Sequence, residues 1–291
     1  MGLSQPPRCS RRAALAAAGG CVMSLAGWAT ARSRADDGDR KPARLDYGQL
    51  PSQYVDITLP SGTSPAPVAL IIHGGFWSNG FGADLGRPLA DDLARRGFAA
   101  VNVEYRRVGV GPNGGGGWPQ TGADLAAALA ALGGDGQRMA NGRLDLGRVV
   151  GLGHSAGGQL AAWLAAQRAG VRLSGVVSQA GVLDMVQAAE TGVGGGAVED
   201  FLGGSPAQVP AAYADASPIA RVPLGAPSIC VHGRSDSVVP IEQSERFVTA
   251  ARGAGDRREL RAFDGGHFDP IAVGSPAWSL CVQALSDLTG R

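Results

Sequence analysis

Residues 148–158 read Arg-Val-Val-Gly-Leu-Gly-His-Ser-Ala-Gly-Gly, and this stretch decides the fold. The apolar run before Gly153 predicts a buried strand, and the residues from Ser155 to Arg168 predict a helix. Glycines two positions to either side of Ser155 permit a sharp, strained turn that lifts its hydroxyl above the sheet, near the N-terminus of the following helix. We therefore predict that Ser155 is a nucleophile.

Strand and helix patterns alternate along the chain around this turn. The continuous apolar run at 68–72 predicts a strand that is buried on both faces, and residues 98–103 predict the next buried strand. Helical patterns follow, for example at 88–96 and 278–288. The alternation predicts an α/β fold with a mainly parallel, doubly wound sheet. Residues 181–223 are rich in Gly, Ala and Pro, and we expect a small insertion there, at the sheet edge and over the active site.

Residues 73–77, His-Gly-Gly-Phe-Trp, follow the apolar run at 68–72. Acyl transfer passes through an oxyanion that needs fixed N–H donors, and glycines let a backbone fold tightly enough to supply them. We predict the N–H groups of Gly75, Phe76 and Ala156 as those donors; an ordinary Gly-Gly turn is the alternative. His73 is expected to brace the loop.

A nucleophilic serine needs a base, and the base needs an acid that orients it. Where the serine lies in a G-x-S-x-G turn between a strand and a helix, the expected chain order is Ser, then Asp or Glu, then His. The chain has four histidines, His73, His154, His232 and His267. His267 lies in a glycine-rich turn after a predicted strand, and Asp236 lies in the loop after the preceding strand. The other acids considered are Asp264, Asp269, Asp184 and Asp215. The first two are too near His267 in sequence, and the last two fall in the insertion. We predict a catalytic triad of Ser155, Asp236 and His267.

Four motifs, HGGFW, GHSAGG, the H-G-x-x-D-x-x-V-P loop and GGHF, together resemble the esterase/lipase branch of the α/β-hydrolases. The resemblance covers roughly residues 54–288. HGGFW is similar to the HGGxW motif of kynurenine formamidases and BD-FAE-type carboxylesterases. Phe76 stands where relatives of hormone-sensitive lipase carry a third glycine, which favours the formamidase and feruloyl-esterase side. The resemblance implies a serine hydrolase that forms an acyl-enzyme.

Four functions fit these residues. The first is a carboxylesterase that acts on small or medium acyl esters. An arylformamidase would use the same triad on N-formyl anilides. A peptidase related to the prolyl oligopeptidases shares two motifs, but the chain has no room for the usual propeller domain. A non-catalytic binding protein on a hydrolase scaffold is the fourth, and the full set of triad residues argues against it.

Charge and composition limit the classes of molecule that the protein is expected to bind. The formal net charge of +1 gives no electrostatic reason to expect nucleic acid or an anionic membrane as a partner. No group of histidines, cysteines and carboxylates has metal-ligand spacing, so we expect neither a metal nor an organic cofactor. The expected partner is a small-molecule ester, whereas the acyl and alcohol specificity and the oligomeric state stay open.

Residues 1–31 predict an export signal. Arg11 and Arg12 precede an Ala-rich apolar stretch over 13–29, and Ala29-Thr30-Ala31 offers small residues for cleavage before Arg32. The arginine pair resembles the twin-arginine motif. The alternatives are a general secretory signal, a membrane anchor or a lipoprotein signal.

The export signal predicts an exported mature protein, periplasmic or extracellular, without a stable membrane span. We expect a flexible linker over 32–51 and a catalytic domain over 52–291. Cys230 and Cys281 remain in the mature chain, and we predict two separately buried thiols rather than a disulfide. An exported protein favours the esterase over kynurenine formamidase, an intracellular enzyme of tryptophan breakdown.

Overall fold

The computed structural model describes residues 41–167 and 170–291, with an eight-stranded sheet at their centre. The strands in chain order are β1 (Ala43–Asp46), β2 (Tyr54–Thr58), β3 (Ala66–Ile72), β4 (Ala99–Val103), β5 (Leu144–His154), β6 (Gly175–Gln179), β7 (Ser228–Gly233) and β8 (Arg258–Phe263). Their order across the sheet is β1-β2-β4-β3-β5-β6-β7-β8. The β1–β2 and β2–β4 pairs are antiparallel, and all pairs from β4 to β8 are parallel. The predicted α/β fold with a mainly parallel sheet is confirmed.

The helices connect these strands. They are α1 (Arg87–Arg95), α2 (Gln120–Ala131), α3 (Gln137–Met139), α4 (Ala156–Ala165), α5 (Met185–Glu190), α6 (Ala197–Leu202), α7 (Pro210–Ala216), α8 (Glu242–Gly253) and α9 (Pro276–Thr289). Short 3-10 turns cover Ala83–Gly86, Val193–Gly196, Pro218–Arg221 and Asp269–Ile271. From β3 to β8, helical segments join each strand to the next strand in the chain, as the crossovers of a parallel sheet require.

The side chains of β3 divide between the two faces of the sheet. Val68, Leu70 and Ile72 join the core cluster that includes residues of α2, α4 and α8. Ala69 and Ile71 join the opposite cluster, beneath α1 and α9. Because successive strand residues point to opposite faces, a continuous apolar run packs against both helical layers. Burial of each large aliphatic side chain contributes about 1.5–3 kcal/mol, and the sheet forms a rigid base for the loops at its ends.

The first strand corrects the predicted domain boundary. The sequence predicts a flexible linker over 32–51, but β1 lies within this range, pairs with β2 and buries Leu45. Arg44 forms a bidentate ion pair with Asp56 of β2, at 2.9 Å for both contacts. Charged side chains are common on edge strands, where they discourage edge-to-edge aggregation. In this chain, the same charged residues make the sequence of β1 resemble that of a linker. The catalytic domain therefore begins before residue 52, while the signal predicted over 1–31 lies outside the described residues.

The insertion predicted over 181–223 is helical. Between β6 and β7 the chain forms α5, α6 and α7 with two 3-10 turns. Phe201 of α6 stacks on Trp77, with 4.7 Å between the ring centroids and 9° between the planes. The insertion thus packs against the loop that follows β3.

Two further predictions concern single features. Cys230 and Cys281 are buried and free, which confirms two separate thiols. In the described part of the chain, no helix is long and apolar enough to cross a membrane.

Candidate active site

The predicted site residues lie at one edge of the sheet. His73 follows β3 directly, Ser155 follows β5, and the loops after β7 and β8 carry Asp236 and His267. Because these four strands are parallel, their carboxyl ends meet at the same edge, where ligands bind in open α/β sheets. Four segments that are far apart in sequence thereby converge.

The turn at Ser155 is strained and tightly packed. Ser155 has φ 53° and ψ −119°, a conformation that costs a non-glycine residue about 1–3 kcal/mol. A Cβ on Gly153 would overlap the backbone of Gly157, and a Cβ on Gly157 would overlap the carbonyl oxygens of Ile72 and His73. The two glycines are therefore required because neighbouring backbone occupies the space of their side chains. The helix α4 begins at the next residue and points its N-terminus at the serine.

The predicted acid and the predicted base are hydrogen-bonded. His267 Nδ1 donates to Asp236 Oδ2 at 2.7 Å, and both side chains are buried. Asp236 Oδ1 accepts from the N–H groups of Val238 and Val239, at 2.9 and 2.8 Å. Burial by itself would raise the pKa of Asp236, but hydrogen bonds from His232 and His267 outweigh it and hold that pKa below its usual range. An ionised carboxylate at Nδ1 fixes the imidazole tautomer whose Nε2 is free to accept a proton.

The loop after β3 combines strain with close approach to the serine. Gly75, Phe76 and Trp77 have φ of 114°, 55° and 52°. A Cβ on Gly74 would lie only 3.1 Å from Ser155 Cβ. Within the described part of the chain, the N–H groups of Gly75 and Phe76 donate to no acceptor. Two unused donors thus lie in the loop that passes over the serine.

The third predicted donor, the N–H of Ala156, is in the first turn of α4. N–H groups of a first helical turn have no acceptor within the helix, and the helix dipole favours negative charge there. Gln159 of the same helix accepts a hydrogen bond from Trp77 Nε1 at 3.0 Å. This contact ties the loop after β3 to α4 and keeps the donors on both sides of Ser155 in a fixed relation.

His73 supports the same loop. Its Nδ1 donates to the carbonyl of Gly74 at 2.8 Å, and its ring stacks on Tyr105 with 4.4 Å between centroids. The Tyr105 hydroxyl donates to the His73 carbonyl at 2.7 Å. Burial lowers the pKa of His73 to about 3, so the ring is neutral. These contacts confirm the prediction that His73 braces the loop.

Comparison with known proteins identifies the family. The BD-FAE family model matches residues 55–250 of the chain. The chain belongs to the BD-FAE family. Esterase LipC of Mycobacterium tuberculosis is 30% identical over 234 residues, which are 72% of this chain and 54% of LipC. The probable carboxylic ester hydrolase LipM of the same organism is 29% identical over 259 residues, 76% of this chain and 53% of LipM.

The BD-FAE chain spans about half the length of the curated relatives it matches. Among solved structures, the thermophilic esterase Est2 of Thermogutta terrifontis superposes with a TM-score of 0.66 at 23% identity. The match covers 85% of this chain and 90% of that one. The similarity supports the α/β-hydrolase fold over nearly the whole length of the solved protein.

Two histidines of this BD-FAE chain were not predicted to support the site, and His154 is the first. Its Nε2 donates to the carbonyl of His267 at 2.9 Å, and the two ring centroids are 4.6 Å apart. Burial first, and then the nearby His267, lower the pKa of His154 to about 3. His154 therefore joins the turn that carries Ser155 to the loop that carries His267. No sequence spacing indicates this contact, because the two histidines are 113 residues apart.

His232 is the second unpredicted support. Its Nδ1 accepts from Ser244 Oγ at 2.8 Å, and its Nε2 donates to the carbonyl of Val239 at 2.8 Å. The same Nε2 is 3.3 Å from Asp236 Oδ2. His232 thus links Asp236 and Val239, in the loop after β7, to Ser244 of α8. His232 and Asp236 are four residues apart within the H-G-x-x-D-x-x-V-P motif, and this short separation is the sequence feature from which their proximity could have been predicted.

The other acids considered at the sequence level have different partners. Asp264 is exposed, 3.7 Å from Arg234 Nε, and Asp269 accepts from the N–H of Gly266 at 2.9 Å. Asp184 caps α5 and pairs with Arg246, whereas Asp215 pairs with Arg221.

In residues 41–167 and 170–291, Asp236 is the one of these five acids that contacts a histidine. Those residues contain no group of three ligand-type side chains placed to hold a metal ion.

Proposed function

We propose that this chain hydrolyses carboxylic esters, with Ser155 as the nucleophile, His267 as the general base and Asp236 as the residue that orients the base. The observation that carries the proposal is the 2.7 Å hydrogen bond between His267 Nδ1 and Asp236 Oδ2, on loops beside a serine in a strained turn. Strain of this kind is retained where it presents a reacting group.

The reaction would proceed in two steps. Ser155 Oγ attacks the ester carbonyl carbon while His267 Nε2 takes the hydroxyl proton, and the N–H groups of Gly75, Phe76 and Ala156 stabilise the oxyanion. The bond between carbon and the alcohol oxygen then breaks, and His267 gives its proton to the departing alcohol. Water then attacks the acyl carbon while His267 takes one of its protons. The bond from that carbon to Ser155 Oγ breaks, and His267 returns the proton to Oγ as the carboxylic acid leaves.

The family and the names of the relatives favour esters over formamides. LipC is named an esterase and LipM a probable carboxylic ester hydrolase. An arylformamidase would use the same residues, so substrate tests must separate the two. The conclusion we favour is a carboxylesterase.

The test is hydrolysis of p-nitrophenyl acetate, N-formylkynurenine and a prolyl p-nitroanilide by the purified chain and its Ser155→Ala variant. We expect turnover of the acetate ester above the other two, and a loss of kcat on the order of a million-fold in the variant. Ser279→Ala, which changes an exposed serine of α9, is the matched control and should retain full activity. An active Ser155→Ala enzyme would refute the mechanism, and preferred turnover of the formamide would refute the ester assignment.

We also propose that residues 1–31 direct export by the twin-arginine route. The supporting features are Arg11 and Arg12 before a weakly hydrophobic, Ala-rich stretch, since strongly apolar signals engage the general secretory route first. The test combines N-terminal sequencing of the exported protein with an Arg11→Lys, Arg12→Lys variant. We expect a mature terminus near Arg32 and loss of export in the variant, and undiminished export would exclude the route.

A further inference from the structure

Phe268 is an exposed aromatic residue beside the proposed base. It directly follows His267 and is 52% exposed. Its ring meets the His267 ring edge to face, with 5.1 Å between centroids and 82° between planes, and lies 6.0 Å from the His154 ring. Single exposed apolar residues are common on protein surfaces. Phe268 differs because it touches the group that would transfer the proton.

The backbone that carries Phe268 is firmly held. The N–H of Ile271 donates to the Phe268 carbonyl at 3.1 Å. Asp269 accepts from the N–H of Gly266 through its carboxylate at 2.9 Å, and its carbonyl accepts from Ser275 Oγ at 2.7 Å. The exposed ring is therefore presented from a cross-linked turn, so a ligand that contacts it would find its backbone already ordered.

The chemistry of the reaction determines what that ligand is. His267 gives its proton to the alcohol oxygen of the ester, so this oxygen must come within hydrogen-bond reach of the imidazole during acylation. The substituent on that oxygen then lies beside the base, whereas the acyl carbon is bonded to Ser155 Oγ. A flat apolar surface beside His267 is thus positioned for the alcohol portion of the substrate.

We propose that Phe268 binds the leaving group and makes the enzyme selective for esters of aromatic or cyclic alcohols over those of short alkyl alcohols. The inference rests on the proposed ester hydrolysis and adds the class of alcohol. Aromatic rings gain from edge-to-face or offset contact with a second ring beyond simple burial of area. An ethyl group offers neither the ring nor the area.

The proposal predicts which step Phe268 affects. The leaving group departs when the acyl-enzyme forms, so Phe268 acts on acylation, which kcat/KM reports. The acyl-enzyme no longer contains the alcohol, so the rate of its hydrolysis does not depend on Phe268. For a substrate with a slow second step, the steady-state kcat stays constant while kcat/KM falls.

The experiment uses two series of esters with the full chain and its Phe268→Ala and Phe268→Tyr variants. The first series keeps the acetyl group and varies the alcohol among phenol, cyclohexanol and ethanol. The second keeps p-nitrophenol and varies the acyl group from acetate to butyrate. We expect Phe268→Ala to lower kcat/KM about tenfold for phenyl acetate and less than twofold for ethyl acetate. Phe268→Tyr should restore the aryl preference, and the ratios within the acyl series should not change.

Val273→Ala is the matched control, because Val273 is also exposed, at 40%, and follows the same turn. It should leave both series unchanged. An equal loss on phenyl and ethyl acetate would overturn the proposal and assign Phe268 a structural role, and a change within the acyl series would place it on the acyl side. If the unmodified enzyme hydrolyses no ester, the proposed function fails; if it hydrolyses them and Phe268→Ala is unselective, only this inference fails.

Discussion

Two pairs of loops meet at the candidate site, and they are held in different ways. The nucleophile turn after β5 and the loop after β3 are held by backbone packing. Ser155, Phe76 and Trp77 have positive φ although none is a glycine. Neighbouring backbone or Ser155 itself fills the space of a side chain at Gly74 and Gly157.

The loop after β7 that carries Asp236 and the loop after β8 that carries His267, here called the acid loop and the base loop, are held by hydrogen bonds instead. Some of these bonds join the two backbones, for example the one from the Ser235 N–H to the Gly265 carbonyl at 3.0 Å, and others come from side chains. Every residue of 234–240 and 264–273 is described, and none has a positive φ. Asp236 accepts two backbone N–H groups of its own loop, and Asp269 accepts one. The rings of His154 and His232 donate hydrogen bonds to backbone carbonyl oxygens of these loops.

The difference separates two kinds of sensitivity. In the first pair, a side chain added to a glycine must displace backbone, so the fold itself is at risk. In the second pair, the backbone is relaxed, and a lost hydrogen bond changes orientation and protonation before it changes the fold. Substitutions in the first pair of loops therefore change mainly the free energy of unfolding, whereas substitutions in the second pair change mainly the catalytic rate.

The largest effect expected in the second pair is on catalysis. Asp236→Asn keeps the size of the side chain but removes the charge that orients His267. We expect kcat to fall about ten-thousand-fold, as when a triad acid is replaced by its amide. The measurement is steady-state turnover of p-nitrophenyl acetate, with the far-UV circular dichroism of the folded variant unchanged.

Asp264→Asn provides the control for this substitution, because Asp264 is exposed and lies three residues before His267. Its turnover should match that of the unmodified enzyme. A loss of only a few-fold in Asp236→Asn would mean that another acid orients the base.

The largest effect expected in the first pair is on stability. Gly157→Ala would press a Cβ into the carbonyl oxygens of Ile72 and His73, and we expect it to lower the free energy of unfolding by about 3 kcal/mol or more. Gly266→Ala is the matched substitution in the base loop, where a Cβ meets nothing within 4 Å. It should change the free energy of unfolding by less than about 0.5 kcal/mol. Urea denaturation of both variants measures the contrast, and equal stabilities would refute it.

Sequence reasoning succeeded where backbone geometry constrains residue type. The glycines around Ser155 and at 74–75 follow from close approach, and the continuous apolar character of β3 follows from burial on both faces. The fold class, the order of the main elements and the location of the candidate residues at strand ends could therefore be predicted.

Contacts between side chains that are far apart in sequence could not be predicted. The hydrogen bond from His154 to His267 joins segments that no local pattern relates. The strand β1 resembles a linker in sequence because it has only four residues and its single buried side chain, Leu45, produces no hydrophobic periodicity. Its pairing with β2 depends on an edge that exists only after folding.

Acidification should weaken the first pair of loops through its buried histidines. His73 and His154 have pKa values of about 3 because burial disfavours the charged ring, whereas an unfolded histidine titrates near 6.5. Between these values the unfolded chain binds protons that the folded chain excludes, so stability is complete above about pH 6.5 and falls as the pH is lowered. From pH 7 to pH 5 each histidine should account for a loss of about 2 kcal/mol.

The measurement is the free energy of unfolding of the unmodified chain and of His154→Gln at pH 7 and pH 5. Glutamine does not titrate, so the loss on acidification should be about 2 kcal/mol smaller in the variant, whatever its stability at pH 7. An identical pH dependence would indicate that His154 is already protonated at pH 5 in the folded chain.

The smallest expected effect tests how much one of the hydrogen bonds in the base loop contributes. Asp269→Ala removes the carboxylate that accepts the N–H of Gly266 and leaves the neighbouring His267–Asp236 contact intact. We expect a loss of about 1 kcal/mol in the free energy of unfolding and a few-fold fall in kcat, because the turn that carries His267 becomes less ordered. Asp269→Asn keeps an oxygen acceptor and should recover most of both losses. If the alanine variant instead lost as much activity as Asp236→Asn, Asp269 would have a direct role in orienting the base, and the separation between a supporting and an orienting carboxylate would be wrong.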